Sequence, residues 1–144
     1  NKLLSLISAP FFTNKVDPYG ALNEDIKVLL LSYISSSVVL LMIISFPDPR
    51  PKKRDIKKRI TNLNFLKLYY EILNKDGRLI LKTDDDNLFN FSIDEIKSSK
   101  FILNDYTKDL HSSSKFDLYK SVKTKYEKKF LLQGKKIKLL ECLK

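Results

Sequence analysis

Residues 38–54 read Val38-Val39-Leu40-Leu41-Met42-Ile43-Ile44-Ser45-Phe46-Pro47-Asp48-Pro49-Arg50-Pro51-Lys52-Lys53-Arg54. The first half is continuous, aliphatic and partly β-branched, as a parallel strand covered on both faces must be, so Val38–Ser45 is predicted as a buried strand. Pro47, Pro49 and Pro51 then fix φ and withhold ladder donors, which makes the exit a stiff, non-helical loop. A stiff loop leaving a buried strand is where α/β folds hold functional side chains at the carboxyl edge of a sheet. Asp48 is the carboxylate this loop holds. Beyond it, Lys52, Lys53, Arg54, Lys57, Lys58 and Arg59 are interrupted by a single acid, Asp55. A carboxylate beside a surface suited to a polyanion points to chemistry on a nucleic acid.

Outward from that stretch, Asn23-Glu24-Asp25 offers capping oxygens for a helix through about Ile34. On the far side, Thr61 or Asn62 can cap a helix in which Leu63, Leu66, Tyr70 and Leu73 recur at helical spacing. Asn74-Lys75-Asp76-Gly77 stops it, with the glycine able to take positive φ. Arg78–Thr83 reads as a short strand ending at Asp84-Asp85-Asp86. A helix over about Leu88–Lys97 follows, then a strand from Phe101 to Asp109. Ser112–Ser114 is a polar loop, Lys123–Leu132 is helical or irregular, and Lys136–Leu143 is a last strand. Alternating strands and helices give an α/β sheet. Residues 1–22 are weakly patterned.

Composition narrows the function. The chain has 144 residues, enough for one modest core, with 27 Lys and Arg against 17 Asp and Glu for a net charge of +10. The basic residues cluster: from Lys115 onward, lysines are answered only by Asp117, Glu127 and Glu141. Clustering of this kind favours a nucleic-acid partner over a merely solvated surface. Cys142 and His111 are each alone, which excludes an intrachain disulfide and multi-cysteine zinc sites, and fits a reducing, cytoplasmic setting. An isolated histidine such as His111 is expected to be packed or hydrogen-bonded rather than catalytic. The charge-free run Val28–Pro47 competes as a membrane span, but Ser32, Tyr33, Ser35, Ser36 and Ser37 break it, so no membrane is expected. With three glycines in all, no glycine-rich strand-to-helix loop is present.

The order of motifs resembles the bacterial tRNA (guanine-N7)-methyltransferases. Phe46-Pro47-Asp48-Pro49 with Pro51-Lys52-Lys53-Arg54 and Lys58-Arg59-Ile60-Thr61 is similar to that family's signature. Lys82-Thr83-Asp84 resembles its second acidic site, and Thr124-Lys125-Tyr126-Glu127 with Lys129-Phe130 and Gly134-Lys135-Lys136-Ile137 its C-terminal signature. Asp109-Leu110-His111-Ser112 resembles a stretch of some members. The resemblance implies a class I, Rossmann-like fold, a mostly parallel sheet with helices on both faces, of which residues 23–144 would be the C-terminal part, with the N-terminal strands incomplete. It implies S-adenosyl-L-methionine as cofactor and tRNA as substrate, methylated at N7 of a guanine in the variable region. Asp25 and Asp48 match cofactor-contacting positions, and Asp48 also the active site. Lys52, Asp84, Thr124, Lys125, Tyr126 and Glu127 match tRNA-substrate positions.

The chain departs from the family at Arg50, where Trp is usual, and at Asp55, where His is usual. The glycine-rich first cofactor motif and the ribose-gripping acid that family members carry upstream have no counterpart in these 144 residues. The chain therefore reads as a fragment or a degenerate copy, expected to bind cofactor weakly by itself. A non-catalytic tRNA binder is the competing function. Guanine N7 carries a free lone pair, so its methylation needs placement and charge stabilisation rather than a base, which suits a fixed carboxylate. The triple aspartate also admits a solvated or capping role, or a magnesium site, although magnesium seldom needs three adjacent side chains. Tyr69, Tyr70, Tyr119 and Tyr126 are candidates for stacking on bases.

Overall fold

The computed structural model describes residues 39–144. The expected helix at residues 23–34, Asp25 and the first residue of the long apolar strand lie outside them. Among the described residues four strands form one sheet: β1 (Leu41–Ser45), β2 (Arg78–Thr83), β3 (Ile102–Thr107) and β4 (Lys138–Leu143), in the order β1-β2-β4-β3. β1 and β2 are parallel, with Leu41 opposite Arg78 and Ser45 opposite Lys82. β4 runs antiparallel to both its neighbours. The helices are α1 (Leu63–Ile72), α2 (Asp86–Lys97), the short α3 (Asp117–Ser121) and α4 (Lys125–Leu132). A 3-10 turn at Lys53–Lys58 precedes α1.

Alternation along the central strands divides the core in two. Leu79 and Leu81 of β2, with Leu140 and Cys142 of β4, face Phe65, Leu66, Tyr69, Leu73, Phe89 and Ile96 of α1, α2 and their flanks. Ile80 and Leu139 face the other way, onto Leu110, Tyr119 and Ile137, with Phe130 and Leu131 packed alongside. Each fully buried Leu or Phe of these layers contributes roughly 1.5–3 kcal/mol. Helices thus cover both faces of the sheet, and β2 is buried on both sides along Leu79–Thr83. That double burial is why its sequence is continuous rather than alternating.

Local chemistry sets the boundaries. Asn62 caps α1 by accepting from Asn64 N, and Asp85 caps α2 by accepting from Leu88 N at 2.7 Å. Glu95 of α2 accepts from Leu63 N at 2.6 Å and Asn62 Nδ2 at 3.1 Å, locking the start of α1 onto α2. At the helix stop, Asp76, not Gly77, takes the left-handed conformation, with φ of 65°. Gly77 is required for space instead: a Cβ there would lie 2.7 Å from the Asn74 carbonyl oxygen. The buried stripe of α1 is also rotated from the expected one. Phe65, Leu66 and Tyr69 are buried, while Leu63 and Tyr70 are only partly so.

Candidate functional site

The proline loop is held on both sides of the sheet. Phe46 N donates to Lys82 O at 2.8 Å, extending the β1–β2 pairing by one bond past Ser45. The Phe46 ring meets Phe130 of α4, centroids 5.4 Å apart. On the return, Arg59 donates from Nε and Nη2 to the Arg50 carbonyl at 3.3 Å each, and its guanidinium lies 4.6 Å from the centroid of Phe91 on α2. Phe46 and Arg50 both adopt positive φ, 51° and 43°, a conformation that side-chain-bearing residues keep only where surroundings impose it. The sequence grouped Arg59 with the tRNA-facing basic residues. The structure corrects this: Arg59 is buried, and its charge serves the loop. Lys52, Lys53, Arg54 and Lys57 do remain exposed.

Asp48 stands at the tip of this loop with an exposed side chain. Its Oδ1 accepts from Arg50 N at 3.1 Å, and Oδ2 lies 3.9 Å from Arg50 Nε. Because β1 and β2 are parallel and in register, Asp48 and Asp84 both follow carboxyl ends of neighbouring strands. The three adjacent aspartates there have separate tasks. Asp84 Oδ2 pairs with Lys135 Nζ at 2.6 Å, Asp85 caps α2, and Asp86 pairs with Lys138 Nζ at 3.1 Å. Among the described residues no group of three or more His, Cys, Asp or Glu is placed to hold a metal ion.

The C-terminal motif reaches the same edge through α4. Thr124 is its N-cap, Oγ1 accepting from Glu127 N at 3.1 Å. Lys125 and Tyr126 are exposed. Glu127 is not: its side chain is 0% exposed, Oε2 bonds Lys82 Nζ at 3.2 Å, and Oε1 meets His111 Nε2 at 2.9 Å. Lys82 also donates to the carbonyls of Tyr119 at 2.5 Å and Val122 at 3.0 Å. Burial pulls the Lys82 ammonium below its usual range, and the Glu127 carboxylate opposes that pull. His111 is thus hydrogen-bonded, as an isolated histidine was expected to be.

Of the four tyrosines considered for stacking, Tyr126 alone stands fully open, at 65% exposure. Tyr69 is buried and donates to Ile60 O; Tyr119 is buried and donates to Glu141. Tyr70 is partly buried, edge-on to Phe101 and beneath Lys100 and Lys144. The reading of Tyr69 and Tyr119 as stacking residues is therefore corrected by their burial. Lys82 was missed as a site residue, although a lysine closing the apolar run Leu79-Ile80-Leu81 signals a buried counter-ion. No helix among the described residues is long and apolar enough to cross a membrane.

A family model described as "Putative methyltransferase" matches residues 15–140. A tRNA (guanine-N(7)-)-methyltransferase of Clostridioides difficile (strain 630) is 36% identical over 115 residues, covering 80% of this chain and 52% of that protein. One of Geobacillus thermodenitrificans (strain NG80-2) is 37% identical over 123 residues, covering 85% and 55%. One of Mesomycoplasma hyopneumoniae (strain 232) is 42% identical over 100 residues, covering 69% and 49%. The chain spans about half the length of the curated relatives it matches. With the model matching from residue 15 to residue 140, the chain belongs to the methyltransferase family that this model describes.

Proposed function

We propose that this chain serves methyl transfer from S-adenosyl-L-methionine to N7 of a guanine in the variable region of tRNA. The observation that carries the reading is the shared carboxyl edge, where Asp48 and Asp84 leave adjacent parallel strands beside an exposed basic turn. N7 attacks through its own lone pair, so the protein must align it and stabilise the positive charge arriving on the purine. The Asp48 carboxylate, fixed by its own loop and open to solvent, has that role. Asp84 keeps Oδ2 on Lys135 and offers Oδ1 to guanine N–H donors. Lys52 and the exposed residues Lys125 and Tyr126 hold the RNA, the lysines on phosphate and Tyr126 by stacking. Thr124 starts the helix that presents them.

When bound, S-adenosyl-L-methionine supplies an electrophilic methyl on a sulfonium. Asp48 and Asp25 are the carboxylates suited to its cationic end, Asp25 lying outside the described residues. The loop after β1 has no glycine, and Pro47, Pro49 and Pro51 withhold backbone N–H donors, so it makes no close backbone cradle for a nucleotide. Fit to the cofactor is therefore partial among the described residues, and tRNA is the partner these residues serve best. A tRNA substrate and a lone thiol at Cys142 support a cytoplasmic setting for that reaction.

The test is transfer of labelled methyl from S-adenosyl-L-methionine to unmodified tRNA, with the product mapped by strand cleavage at N7-methylguanine. Label at a variable-region guanine is the expected result. Salt-dependent tRNA binding with no transfer, under conditions where a relative is active, would instead identify a non-catalytic RNA binder.

A further inference from the structure

Thr124–Glu127 is one motif in the sequence but two environments in the fold. Lys125 and Tyr126 face solvent, whereas Glu127 has both oxygens engaged and no exposed surface. Its two partners come from distant segments. Lys82 is the penultimate residue of β2, two before Asp84, and His111 sits on the turn after β3, where Leu110 N donates to Ile137 O. Lys82 also bonds two carbonyls of the α3 region, and the Tyr119 hydroxyl donates to Glu141 on β4 at 3.1 Å. One ammonium thus ties the end of β2 to α3, to the α3–α4 link and to the first turn of α4. α3 is only five residues long and cannot hold itself by helix formation.

We propose that Lys82, Glu127 and His111 form a buried latch that positions the run Val122–Tyr126, exposed except at Thr124, at the carboxyl edge of the sheet, Glu127 acting as a positioning residue that does not touch RNA. Its consequence for RNA rests on the tRNA reading above; the latch itself does not. Removing either charge alone strands the other in the interior, so the pair acts as a unit.

The test combines amide hydrogen exchange with tRNA binding in the intact chain carrying Glu127→Gln, Lys82→Met, His111→Gln, or Lys82→Met with Glu127→Gln. Glu95→Gln, at the α1–α2 tie, is the control for a carboxylate that is structural only. The three single variants should speed exchange across residues 117–132 by on the order of 10- to 100-fold while the α1–α2 layer keeps its protection. Each should weaken tRNA binding by on the order of 10-fold. The double variant, free of an unpaired charge, should regain thermal stability while tRNA affinity stays at the level of the single variants. Glu95→Gln should lower stability and leave tRNA affinity unchanged.

Unchanged exchange over 117–132 would overturn the latch. So would tRNA affinity that returns with stability in the double variant, because the pair would then serve stability alone. Weakening confined to Glu127→Gln would mean that Glu127 contacts RNA directly, and would also overturn the proposal. If the parent chain binds no tRNA, the tRNA reading fails and the exchange measurement still decides the latch. If Lys82→Met does not fold, Glu127→Gln and His111→Gln carry the same comparison with less disturbance.

Discussion

At the scale of single residues, Asp48 was legible because prolines on both sides leave it no secondary structure to serve. In an enzyme built on these residues, Asp48→Asn should lower turnover by on the order of 10²–10³, as for one preorganised electrostatic group. The loss should fall on the chemical step, because a carboxylate repels phosphate and adds nothing to tRNA affinity; a near-normal single-turnover rate would remove the assignment. Lys82 and Glu127 were not legible as a pair. Each sits in a segment whose local pattern gives no sign of the other, and only tertiary packing joins them. Cys142 allows a check on the core beneath the site. Burial, with a smaller push from Glu141, raises its thiol from 9.0 to about 12. The native state then holds a proton that the unfolded chain has released, so this contribution to stability is full below pH 9 and is lost as pH rises toward 12. Over that window the unfolding free energy of Cys142→Ala should fall less steeply with pH than that of the parent. An aromatic disulfide reagent at pH 8 should label only denatured protein.

At the scale of elements, the two described glycines separate space from conformation. Gly77→Ala puts a methyl 2.7 Å from a backbone oxygen and between β2 and its helix, and should destabilise by about 1–3 kcal/mol. Gly134→Ala meets no atom but keeps a φ of 71° after α4, and should cost about 1 kcal/mol. Urea unfolding of the two variants checks the order, and a larger loss at Gly134 would contradict it. Patterned elements were readable from sequence for the same local reasons. Arg78–Thr83 emerged with the expected bounds, because a continuous apolar run between Gly77 and three aspartates has one solution. α1 was found by its Asn62 cap, but its buried face was misplaced, since Phe65 and Tyr69 pack against β2 and β4 while Tyr70 turns toward Lys144. α3 was missed altogether. Its five residues carry no cap bond and follow Phe116 at a φ of 65°, so tertiary contacts through Tyr119 define it rather than propensity.

At the scale of the molecule, the sign of the net charge was plain from sequence, but its division between surface and interior was not. Lys82, Arg59 and Lys138 are buried and their charges are engaged within the fold, by Glu127, by the Arg50 carbonyl, and by the exposed Asp86 with the Asp84 carbonyl. Lys135 and Lys136 answer Asp84 and Asp109. The set left for a polyanion under the proposed function is therefore smaller, chiefly Lys52, Lys53 and Lys57 at the proline loop and Lys125, Lys128 and Lys129 on α4, all exposed. Binding to tRNA releases one counterion for each phosphate a lysine neutralises. Lys53→Gln and Lys57→Gln should each weaken tRNA binding at low salt and reduce the slope of log affinity against log salt by about one. Arg59→Gln should behave differently. It frees the Arg50 carbonyl and lifts a cation off Phe91, loosening the whole loop, so affinity should fall at every salt concentration with the slope nearly unchanged. Filter binding of unmodified tRNA across a salt series measures both quantities. An equal loss of slope in Arg59→Gln would show that this buried guanidinium reaches phosphate in the complex and that the loop opens on RNA.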